Sequence, residues 1–110
     1  MKGDSIGELE ELILLVVGIL YEEAYGVTVF SEVKKQTGRE VNISAIHVVM
    51  NRLEEKGLLN SFMGGATNQR GGRRKKFYKL TGVGRSTLEE MKNTRERLFD
   101  QLRPASSFSI

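Results

Sequence analysis

The hydrophobic pattern of this chain changes period at Gly57, and that change leaves few folds open. Before it, apolar residues recur at helical spacing; after it, 58-LLNSFM-63 and 75-KKFYKL-80 read as two strands separated by 64-GGATNQRGGRR-74. A glycine-rich spacer between two such runs predicts a β-hairpin with a long basic tip. Helical spacing then returns from residue 82 to residue 103. The order is three helices, a hairpin and a further helix.

Terminal signals bound the helices. In 5-SIGE-8, Ser5 and Glu8 have the spacing of a capping box, which predicts a first helix carrying Leu9, Leu12, Ile13, Val16 and Leu20. The segment 21-YEEAYG-26 reads as a break, and 27-VTVFSEVKKQTG-38 as a second helix stopped by Gly38. The third helix runs from a cap at Asn42 through 43-ISAIHVVMNRLEEK-56. Ile46, Val49, Met50 and Leu53 share its core face; Ser44, Val48, Asn51 and Glu55 lie opposite, with His47 and Arg52 on the flanks. Thr81 can cap the last helix, along which Leu88, Met91, Leu98 and Leu102 fall at a and d spacings, with Arg95 at the one interruption. Pro104 ends it.

Charge locates a surface. The chain of 110 residues carries a formal +3, yet Arg70, Arg73, Arg74, Lys75, Lys76 and Lys79 put +6 into positions 70–79 and leave the remainder at −3. Positive charge concentrated on one short segment makes a local anion-binding surface, and the expected anion is a polyphosphate. Cysteine is absent, which excludes disulfides, thiol catalysis and cysteine-ligated metal. His47 is the single histidine, and neither a metal site nor a catalytic triad assembles around it. The expectation is a protein that is not an enzyme and holds no cofactor. The longest apolar run, 12-LILLVVGIL-20, has nine residues and follows Glu8, Glu10 and Glu11, so it is read as neither membrane span nor signal peptide. A cytoplasmic protein without a membrane partner is expected.

This order is that of a mainly α (α+β) fold, a winged helix-turn-helix with a two-stranded wing and a C-terminal dimerisation helix. The expected division is a DNA-binding domain over 1–80, a dimerisation helix over 81–103 and a flexible tail over 104–110. Ser44, His47, Val48, Asn51 and Arg52 on the third helix are expected to face the major groove, with Asn51 bonding adenine and Val48 meeting a thymine methyl. Lys34, Lys35, Arg39, Arg70, Arg73, Arg74, Lys75 and Lys76 are candidate phosphate contacts. Leu9, Leu12, Ile13, Val16, Leu88, Met91, Arg95, Leu98 and Leu102 are candidate dimer-interface residues. A second function class stays open, a winged-helix module that turns its basic hairpin to RNA or to a protein.

The motifs 25-YGV-27, 38-GREVNISAIHVVMNRLEEKGLL-59 and 71-GGRRKKFYKLT-81, with Gly84, resemble the PadR-type transcriptional regulators, in their short form with one helix beyond the wing. The resemblance spans roughly residues 6 to 102. It implies a homodimer on a palindromic DNA operator, built by packing first and last helices together, and a repressor released by a small-molecule effector near that interface. In that family the position of His47 is usually a tyrosine or another aromatic residue, so a tyrosine contact to DNA does not carry over.

Overall fold

The computed structural model describes residues 6–64 and 74–104. Ser5, Arg70, Arg73, the hairpin tip and the tail from 105 onward lie outside the described residues. Four helices and one hairpin follow in the order α1 (Glu8–Leu20), α2 (Gly26–Thr37), α3 (Ile43–Glu55), β1 (Leu59–Gly64), β2 (Lys75–Leu80) and α4 (Gly82–Asp100), with a short 3₁₀ turn at Tyr21–Glu23.

Helix α1 starts two residues later than the S-x-x-E pattern suggests, because another carboxylate does the capping. Glu10 accepts the Gly7 amide at 2.8 Å, while Glu8 turns away to meet Arg39 at 2.7 Å. Glu10 is buried, and Lys56 of the α3 end lies 3.2 Å from its Oε2, with Arg52 at 3.8 Å. Burial opposes ionisation of Glu10, but the Gly7 amide and the Lys56 ammonium outweigh it and hold the carboxyl below its usual range. The helix leaves its axis at Tyr21, whose φ of 57° is unusual for a residue with a Cβ.

Helix α2 ends at Gly38 in the left-handed conformation, φ 78°, as the glycine stop predicts. Four residues later Asn42 accepts the Ser44 amide at 2.7 Å and starts α3. This short connection turns α3 across α1 and α2. Ile13, Leu14, Val16 and Val17 of α1, Val29 and Val33 of α2, and Ile46, Val49, Met50 and Leu53 of α3 close one core. Its floor is the hairpin, through Leu58, Leu59 and Tyr78.

Strands β1 and β2 pair antiparallel, with Leu59 opposite Leu80, Ser61 opposite Tyr78 and Phe62 opposite Phe77. Period two therefore sends Tyr78 into the core and Phe77 to the other face, where it stacks on Phe62 at 5.4 Å and meets the Tyr25 ring edge at 5.2 Å. The Tyr78 amide donates to Ala24 O at 2.9 Å, which docks β2 on the turn between α1 and α2.

Thr81 starts α4, as expected, and joins it to the preceding turn. Its hydroxyl oxygen accepts the Gly84 amide at 2.9 Å and the hydroxyl donates to Gly57 O at 2.8 Å. Gly84 is the buried residue of α4 and lies directly on the Leu58 carbonyl; an added Cβ would overlap that oxygen and reach 2.8 Å from Leu80 Cδ1. The regular helix stops at Asp100, three residues short of the expected end. From Lys92 onward α4 is exposed along its described length.

Two stability measurements check these contacts. Gly84→Ala should destabilise by about 1–3 kcal/mol through overpacking, although alanine is the better helix former, and urea unfolding followed by circular dichroism reads the sign. Glu10 has a depressed folded pKa, so its contribution is complete above the ordinary carboxyl value of 4.5 and is lost as pH falls through the lower folded value. Glu10→Gln should therefore be less stable than wild type at pH 7 and lose less of its stability on acidification, as urea midpoints across a pH series would show.

Candidate nucleic-acid interface

Two elements form the candidate surface: the outer face of α3 and the hairpin beside it. Ser44, His47 and Val48 are all exposed. The His47 ring lies against the backbone of Gly26, where a Cβ would come within 2.5 Å of Nε2. That contact gives 25-YGV-27 a physical role, because a side chain at position 26 would push the His47 ring from its place. Arg52 is exposed too but leans back to Glu10.

Asn51 is placed differently from the expectation of a free base reader. Its Oδ1 accepts the Tyr78 hydroxyl at 2.7 Å and the Lys76 ammonium at 3.3 Å, so the amide oxygen is turned to the hairpin. One helical turn on, Glu54 accepts the Ser61 hydroxyl at 2.5 Å and pairs with Lys76 at 3.2 Å. The Ser61 hydrogen bond and the Lys76 charge together hold the Glu54 carboxyl below its usual range. For Lys76 some burial works against the charged form, but Glu54 and the Tyr78 oxygen raise its ammonium above the usual lysine range. The parity of the strands explains the meeting: Ser61, Lys76 and Tyr78 all point to the side of the hairpin that α3 covers.

The candidate phosphate contacts divide into two groups. Lys34 pairs with Glu40 at 2.9 Å, Arg39 with Glu8 at 2.7 Å and Lys76 with Glu54 at 3.2 Å. Among the described residues no carboxylate comes within ion-pair distance of Lys35, Arg74 or Lys75. Lys75 is instead held by Tyr25, with its ammonium 4.4 Å from the ring centroid and 3.3 Å from the hydroxyl. Arg70 and Arg73 lie outside the described residues.

The residues expected at a dimer interface are also divided. Ile13 and Val16 are 0% and 1% exposed in the chain's own core, so they cannot meet a partner without unfolding it. Leu9, Leu12 and Leu88 are half-buried against that core, and Met91 is half-buried. Arg95 reaches Glu11 of α1 at 2.8 Å. Leu98 and Leu102 are exposed, as are Leu15, Ile19 and Phe99, which periodicity did not single out. Over 12-LILLVVGIL-20 α1 is wholly apolar, so no sequence pattern marks which leucine faces outward. Leu15, Gly18 and Ile19 of α1 and Leu80 and Leu88 line an apolar groove of about 590 Å³ between α1 and α4, edged by Glu11, Arg85, Glu89 and Lys92.

Comparison with known proteins places this arrangement. The structure is similar to a PadR-like transcription factor from Bacteroides fragilis, with TM-score 0.68, 28% identity and 84% of each chain covered. It is similar to a PadR family transcriptional regulator from Eggerthella lenta, with TM-score 0.63, 28% identity and coverage of 84% of this chain and 80% of the other. A PadR family regulator from Clostridium difficile shares the fold at TM-score 0.65 and 23% identity, over 86% and 93% of the two chains. Among curated proteins no significant match is found. The model of the PadR-like transcriptional regulator family matches residues 13–90, and the chain belongs to that family, whose members regulate transcription and are not enzymes.

Proposed function

We propose that the chain acts as a homodimer that binds a palindromic duplex operator, with α3 of each copy in the major groove and the wing on the flanking backbone. The observation that carries this reading is the exposed row Ser44, His47 and Val48 on α3, together with Arg74 and Lys75 of the wing, two cations without acid partners among the described residues. Val48 offers a methyl surface to thymine, and Ser44 lies one turn nearer the helix start. Lys35, Arg74 and Lys75 are the first phosphate contacts. Lys34 and Arg39 would exchange a carboxylate for a phosphate, an exchange that ion pairs exposed on both sides permit at small cost.

The dimer seam falls to the exposed apolar side chains of α4 and α1, Leu98, Phe99 and Leu102 with Leu15 and Ile19. Such a stripe is costly in water and is relieved by a second copy. The repressor role and release by a small molecule follow from family likeness, and the apolar α1–α4 groove is the space such an effector would fill. This reading keeps the protein with its DNA in the cytoplasm; among the described residues no helix is long and apolar enough to cross a membrane.

Selection of sites from random duplex should recover an inverted repeat whose half-sites lie about 10 base pairs apart or a multiple of that. Sedimentation should show a dimer at micromolar concentration that Leu98→Arg dissociates. Replacing Arg74 and Lys75 by glutamine should reduce the slope of log affinity against log salt by up to about 2 per chain, since each lost phosphate contact removes about 0.9. Tighter binding of single-stranded RNA than of any selected duplex would sink the operator reading in favour of the RNA alternative.

A further inference from the structure

We infer that Asn51, Glu54, Ser61, Lys76 and Tyr78 form a latch that fixes the spacing between α3 and the wing, with Asn51 a positioning residue and not a base reader. The inference rests on the DNA-binding reading above and assigns it a specificity device.

An amide oxygen has two acceptor positions, and Asn51 Oδ1 has two donors, the Tyr78 hydroxyl at 2.7 Å and Lys76 Nζ at 3.3 Å. Bidentate recognition of adenine needs that same oxygen for the base amino group. Asn51 would have to abandon the wing to read. Leaving is costly, because Tyr78 is 1% exposed and its hydroxyl would lose the acceptor it has in Asn51.

The latch spans both strands. Glu54 takes Ser61 from β1 and Lys76 from β2, and Lys76 also bridges to Asn51. Acceptors one turn apart on α3 thus hold donors from both strands on the hairpin's inward face. Arg74 and Lys75 continue from this anchored part of β2, so the separation between wing cations and the groove-facing row of α3 is set here. A correctly spaced operator satisfies both at once, and a wrongly spaced one does not. Selectivity then depends on side chains that touch no base.

Three variants test this: Tyr78→Phe, which removes one oxygen and keeps the ring; Asn51→Ala; and Asn51→Asp, which keeps acceptor oxygens but loses the amide donors. The chain has no cysteine, so spin labels on Glu55→Cys and Met63→Cys report the distance from α3 to the wing without DNA. Tyr78→Phe and Asn51→Ala should each broaden that distance and weaken operator binding by roughly 5- to 30-fold, the scale of one buried hydrogen bond. Their combination should be no worse than the more damaging single change, since both break one contact. Asn51→Asp should restore the narrow distance. Sites selected by Asn51→Ala should keep the wild-type bases at every position while tolerating altered spacing.

The proposal is overturned if Asn51→Ala changes preference at one base position while Tyr78→Phe binds as wild type, for Asn51 is then a reader. It is equally overturned if both variants keep the wild-type distance distribution. Failure of the wild-type chain to bind any duplex would instead overturn the operator reading, and the distances would still decide whether the latch exists.

Discussion

The phenol of Tyr78 lies where the helical core meets the hairpin, and its burial constrains the elements on every side. A ring so enclosed stabilises the core by its area, yet its hydroxyl must find an acceptor there. Asn51 of α3 supplies one, and the Tyr78 amide at the same time donates to Ala24 between α1 and α2. One residue of β2 is thereby fixed to α3 and to the turn behind it. The outward face of α3 is narrowed as a result: Asn51 and Glu54 belong to the hairpin, while Ser44 and Val48 remain available.

Several cations near this surface are already paired, though within the 70–79 segment only Lys76 is so among the described residues. Lys34, Arg39, Arg52 and Lys76 each lie within 4 Å of a carboxylate, at 2.9, 2.7, 3.8 and 3.2 Å. Three of those acids, Glu8, Glu40 and Glu54, are far from fully buried, so the pairs contribute little to stability. Their effect is on orientation: each cation is held by its carboxylate in one direction. Glu10 differs, since its buried carboxylate ties the start of α1 to the end of α3 through Lys56.

How much was legible in the sequence follows the range of each interaction. Gly38, Asn42, Gly57 and Thr81 act within a few positions of themselves, and all four end or start elements where local chemistry places them. The core face of α3 was equally plain. Contacts between distant positions left no such mark. Asn51 is exposed, as its face of α3 suggested, but nothing local reveals the hydroxyl 27 positions later that its amide oxygen accepts. Ser5 and Glu8 made a plausible cap, but Glu10 could do the same work while also meeting Lys56, 46 positions away. Ile13 and Val16 illustrate a different gap: helical spacing gives the width of an apolar stripe, not whether this chain or another covers it.

The seating of Gly84 on the Leu58 carbonyl has a mechanical consequence. Helix α4 is pinned at its base to the turn that closes α3, through Thr81 and Gly57 as well as this contact. Sixteen residues farther on, its tip at Asp100 stands about 24 Å away at the usual helical rise. The helix is a lever whose fulcrum adjoins the end of α3, so a tilt of about 10° there carries the tip through about 4 Å. Run in reverse, displacement of the exposed tip by several ångströms reaches the end of α3 as a small rotation, geared down by the length of the arm.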